Sequence, residues 1–122
     1  MSELTIKIPY LSTVSKNHCF IAGDRRRGYV RDVRDWCEAM GWIIRADINL
    51  RMLEFKPPIV LDICCYFPKQ RGRRPDAANF RAVIQDVVAK VVGIDDSHFS
   101  GTDTGVWGIA PRKACFEITI RG

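Results

Sequence analysis

The sequence predicts one α/β (α+β) domain in which a small mixed β-sheet carries two main helices. Three observations carry this reading. Leu4, Ile6, Ile8 and Tyr10 alternate with Thr5 and Lys7, the period-two pattern of a half-buried strand. The apolar run 59–67, which follows the chain-breaking Pro57-Pro58, has the length and composition of a buried strand. Two segments, 25–40 and 76–92, repeat apolar residues at helical spacing. At 122 residues the chain is long enough for one ordinary core and too short for a second, so the domain spans residues 1–122.

Taken in order, the first strand gives way to a polar stretch, 12–24, that reads as a loop. In the first helix Tyr29, Val30, Val33, Trp36, Cys37 and Met40 share a face, Arg27, Arg31, Arg34, Asp35 and Glu38 take the other, and Gly41 suits a C-cap. Segment 43–55 alternates at Ala46, Ile48, Leu50 and Met52, which favours a strand, although Asp47 and Arg51 are spaced to pair on a helix. The second helix opens at Asp76 and carries an apolar stripe of Phe80, Val83, Ile84, Val87, Val88, Val91 and Val92, with Gly93 ending it. Valines are poor helix formers, so packing must hold this helix. Segments 106–109 and 115–120 complete the sheet.

Composition narrows the function classes. A net charge of +5 and a pI near 9.1 modestly favour a polyanionic partner. Clustering says more: Lys69, Arg71, Arg73 and Arg74 fall within six positions, and Arg25, Arg26 and Arg27 are consecutive. A solvated loop is the plain alternative for the triplet. The five cysteines are scattered and lack zinc-ligand spacing, which predicts reduced thiols and, with no signal-peptide pattern in MSELTIKIPY and no membrane-spanning stretch, a cytoplasmic protein. Aromatic residues in a domain this small, Trp36, Trp42 and Trp107 included, are expected in the core, whereas Phe67 precedes the basic run and is placed to wedge into nucleic acid.

The most specific feature is the run Arg71-Gly72-Arg73-Arg74-Pro75-Asp76, followed after the second helix by Asp95-Asp96-Ser97. Cations that hold phosphate beside carboxylates that hold a metal point to phosphodiester chemistry. Each acid also has a plainer role. Asp76 suits a helix N-cap, Asp95 and Asp96 suit a turn, and Asp86 is spaced to pair with Lys90.

The order of these residues resembles the RusA-type Holliday junction resolvases, whose pattern runs as a basic loop, Asp-x-Asp-Asn, a helix ending near Gly, then Asp-Asp-Ser. Asp76, Asn79, Asp86, Asp95, Asp96 and Ser97 match it, while Ala78 stands where the second acid belongs and Ala82 where a Lys is usual. The resemblance is specific between Arg71 and Ser97 and weaker elsewhere. It implies a dimeric, nucleoid-associated endodeoxyribonuclease that resolves four-way DNA junctions by paired nicks. Asp76, Asp95 and Asp96 would be catalytic and would ligate Mg²⁺ or Mn²⁺, with Lys69, Arg71, Arg73, Arg74, Arg81 and Arg27 on the DNA. The two alanines favour an alternative, a catalytically impaired protein of the same fold that binds branched DNA. A helix of about sixteen residues is roughly 24 Å long and separates Asp76 from Asp96. Composite sites across a two-fold axis, with the valine stripe as interface, would reunite them.

Overall fold

A computed structural model describes residues 1–122. The expected mixed sheet and two helices are present. The strands are β1 (Glu3–Pro9), β2 (Ile59–Pro68), β3 (Phe99–Ser100), β4 (Asp103–Ile109) and β5 (Cys115–Arg121), and the helices are α1 (Arg31–Leu50) and α2 (Arg81–Val92). The sheet runs β1-β5-β2, with β3 and β4 sharing the far edge of β2. β5 is antiparallel to both β1 and β2, whereas β3 and β4 lie parallel to β2, so α2 is the crossover of a β-α-β unit.

One face of the sheet is apolar and both helices cover it. Leu4 and Ile8 of β1, Ile59, Leu61, Ile63, Cys65 and Phe67 of β2, and Phe116, Ile118 and Ile120 of β5 are buried against Val33, Trp36, Met40 and Ile44 of α1 and Val83, Ile84, Val87 and Val88 of α2. The opposite face carries Asp62, Cys64, Thr119 and Arg121. There Arg121 bonds Asp62 at 2.6 Å and Glu3 at 2.9 Å, and its hydrogen bond holds the Asp62 carboxyl below the usual range. Cys64 and Cys65 point to opposite faces as strand geometry requires. Burial pushes the Cys65 thiol up to about 12.

Several expectations need correction. Segment 43–55 is not a strand: α1 continues to Leu50, and Asp47 and Arg51 make the i,i+4 ion pair at 3.0 Å. Gly41 is therefore inside a helix, and it faces Val87 and Val91 of α2. The first helix also begins later than expected, because Arg25–Arg27 forms a separate 3-10 turn capped by Asp24. Trp42 is 69% exposed and Phe67 is fully buried, the reverse of their expected roles. Finally, most of the valine stripe is consumed by the chain's own core, which removes it as a dimer interface.

The start of α2 is fastened by Arg81. Its guanidinium pairs with Asp103 at 2.8 Å, donates to Gln85 at 3.0 Å and to the Thr102 carbonyl at 3.1 Å, and also donates to the Leu61 carbonyl. Beside it Gly101 lies so close to Leu61 that any Cβ would collide with the β2 backbone, and its φ of 140° is one that L side chains rarely adopt.

Two stability outcomes follow from this packing. Arg81→Ala strips Asp103 of its ion-pair partner and removes a donor from the Leu61 carbonyl, while the Thr102 carbonyl keeps the Ile63 N–H. It should cost about 2–4 kcal/mol in denaturant unfolding, with Arg81→Lys recovering only part of it. Gly41→Ala should raise stability by about 0.5–1 kcal/mol, because the new methyl meets Val91 at 3.8 Å, ordinary contact distance.

Candidate nucleic-acid interface

The basic run occupies the turn that leaves the carboxyl end of β2, beside the carboxyl end of its parallel neighbour β4. The Lys69 N–H donates to the Ile109 carbonyl at 2.9 Å, which fixes the start of the loop. Its far end is fixed by Trp107, which stacks on buried Phe67 with centroids 5.8 Å apart, donates its indole N–H to the Pro75 carbonyl at 3.0 Å, and lies under the Arg74 guanidinium at 5.3 Å. Trp107 is 38% exposed, so it belongs to the surface of this site and not to the core. Gln70 donates to the Arg73 carbonyl at 3.3 Å.

Between these anchors Lys69, Arg71, Arg73 and Arg74 are exposed, and none of them takes part in any of the chain's salt bridges. Arg112 and Lys113, in a 3-10 turn packed against β2, add two more exposed cations that the sequence reading did not single out. Arg27 is exposed on its own turn. Arg81 is a correction: only about a fifth of its side chain is exposed (19%) and its donors are engaged internally, so it is a structural residue.

Behind the loop opens a cleft of about 630 Å³. One wall is Arg73, Arg74 and Asp76, the other is the segment from Ser12 to His18, and Tyr10 and Phe80 form the floor. The second wall was legible only as a polar loop. It is held by buried Val14 and Cys19, by the Lys16 N–H donating to the Asn79 carbonyl at 2.8 Å, and by the Thr13 hydroxyl donating to Asp32 at 2.8 Å.

The acids are dispersed. Asp76 caps the 3-10 turn Ala77–Phe80 that leads into α2, accepting from the Ala78 N–H at 3.0 Å. Asp95 caps the turn Asp96–His98, where the Ser97 hydroxyl and N–H hold its carboxyl below the usual range. The twelve residues of α2 alone span roughly 18 Å, so Asp76 stands at one end and Asp95 and Asp96 at the other. Asp86 pairs with Lys90 at 3.2 Å and accepts from the Tyr29 hydroxyl at 3.2 Å; with Asp96 it lines a separate cleft of about 530 Å³ that also contains Arg25 and Ala82. No three His, Cys, Asp or Glu side chains converge as a metal-holding group. The residues expected to ligate Mg²⁺ or Mn²⁺ therefore do not fit such a site within one chain. No helix is long and apolar enough to cross a membrane.

Compared with known proteins, the chain matches no family model and no curated sequence.

The capping role of Asp76 separates from its charge by substitution. Asp76→Ala should lower unfolding stability by about 1 kcal/mol, whereas Asp76→Asn, which caps equally well, should change it by only a few tenths.

Proposed function

We propose that this domain binds DNA whose strands branch or depart from a continuous duplex, a four-way junction above all, through the 69–74 loop and the cleft behind it. The observation that carries the reading is the set of four exposed cations, free of any carboxylate partner, at the carboxyl ends of parallel β2 and β4. Open α/β sheets bind ligands at that end of their strands, and unpaired Lys and Arg side chains gain affinity by releasing counterions from phosphates. Arg112, Lys113 and the stacked Arg74–Trp107 pair widen the same surface. In this reading α2 is a scaffold, Asp76 and Asp95 are turn caps, and Asp86 is the ion-pair partner of Lys90.

A metal-dependent junction endonuclease is the second reading, and the cleft shared by Asp86, Asp96 and Arg25 is the observation that favours it. It requires two copies to bring Asp76 of one chain to Asp95 and Asp96 of the other, across a surface other than the valine stripe. The two readings part in one experiment. A labelled four-way junction and a matched duplex are incubated with the protein in Mg²⁺, in Mn²⁺ and in chelator. Selective retardation of the junction without nicks supports the binding module. Paired metal-dependent nicks abolished by Asp76→Asn replace it with the nuclease, and equal retardation of junction and duplex without nicks sinks both.

If the four loop cations each meet a phosphate, the logarithm of the association constant should fall against the logarithm of salt concentration with a slope of roughly −3 to −4. Replacing Arg71 and Arg73 by Ala should make that slope shallower by about 2, read by fluorescence anisotropy across a salt series.

A further inference from the structure

We propose that the cleft between the two loops takes one unpaired nucleotide of a DNA strand. Its phosphate meets Arg73, Arg74 and His18, and its base edge meets the side-chain amides of Asn17 and Asn79. The inference rests on the DNA-binding reading and deepens it, naming what the cleft holds and what the 12–18 wall contributes.

Size is the first argument. At about 630 Å³ the cleft lies within the range of sites that enclose a small molecule, so it accommodates a nucleotide and is far too small for a paired duplex. A lone phosphate would leave most of it unfilled.

The donor set is the second. The two arginines outnumber the single acid of the lining, Asp76, whose Oδ1 is engaged by the Ala78 N–H. The side chains of Asn17, His18 and Asn79 make no hydrogen bond within the chain, and Asn17 and His18 are exposed. Two arginines and an imidazole suit a phosphate; amides, which both donate and accept, suit the Watson–Crick edge of a base that has lost its partner.

Rigidity is the third. The 12–18 wall is pinned at Val14, at Cys19 and through Lys16 to Asn79, and the His18 N–H donates to the Ser15 carbonyl at 2.9 Å. A wall already ordered loses little conformational freedom when a ligand enters. Arg71 and Lys69 lie on the same loop, outside the cleft lining, so the strand that supplies the nucleotide has cations along which to continue.

The test compares wild type with the Asn17→Ala/His18→Ala double variant. Both residues are exposed, and an unchanged melting temperature verifies the fold. The probes are a fluorescein-labelled single-stranded octadeoxynucleotide, a perfect duplex carrying the same strand, and thymidine 5′-monophosphate as competitor. The double variant should lose about tenfold or more in affinity for the single strand and stay within about twofold for the duplex. Thymidine monophosphate should displace the octamer only at far higher concentration than the unlabelled octamer does.

An equal loss on both DNAs, or no loss on either, overturns the nucleotide assignment. So does a monophosphate that binds as tightly as the octamer, which would make the occupant a free nucleotide. Lys69→Ala/Arg71→Ala distinguishes this failure from that of the parent reading. If it weakens both DNAs while the 17/18 variant changes nothing, only the cleft assignment falls; if wild type binds neither DNA, the DNA-binding reading falls as well.

Discussion

The guanidinium of Arg81 is the point on which the arrangement of this domain depends. The crossover between parallel β2 and β4 forces the chain to leave the sheet, run the length of α2 and return beside its starting strand. Arg81 stands at the head of that helix and binds the returning chain at Thr102 and Asp103 together with the β2 carbonyl of Leu61. One side chain therefore sets where α2 begins relative to the sheet edge. The lead-in turn with Asp76 and Asn79, and the basic loop before it, inherit their positions from this junction. A lysine is a single point donor and lacks the forked geometry to reach all of these acceptors.

Most of the sheet, the body of the crossover helix and its Gly93 cap were legible because each rests on a local signal: alternation, a long apolar stripe, a glycine where the stripe ends. The short β3 and the 3-10 turn at 77–80, which delays α2 from the expected Asp76 to Arg81, carry no such signal. What misled is instructive in physical terms. Residues 43–50 alternate well enough to read as a strand, yet an exposed Trp42 and Ile43 on one side and buried Ile44 on the other satisfy a helix equally, and the Asp47–Arg51 pair favours it. Gly41 carries a cap signal that tertiary packing against Val87 and Val91 overrides. Phe67 and Trp107 stack on one another, and their order of burial is decided by strand position, Phe67 on β2 inside the sheet and Trp107 on β4 at its edge, a long-range fact that no local pattern carries.

The functional motif divides the same way. The basic loop is local, and four exposed cations lie where their sequence clustering suggested. Convergence of Asp76 with Asp95 and Asp96 is a three-dimensional requirement that spacing along the chain does not guarantee; a straight helix between them keeps them apart. Arg81 shows the complementary error, a cation within a basic region whose charge is neutralised by Asp103, itself distant in sequence. The wall from Ser12 to His18 went unread because hydroxyls, amides and a single imidazole make no pattern until they face two arginines.

The hydrogen bond from Lys16 to the Asn79 carbonyl joins segments some sixty residues apart, so the cleft between them exists only while the whole chain is folded. Occupancy and folding are then thermodynamically linked. Any molecule that fills the cleft subtracts from the unfolded population by mass action, and the melting temperature rises with its concentration. The domain thus reports the saturation of its own cleft through its heat stability.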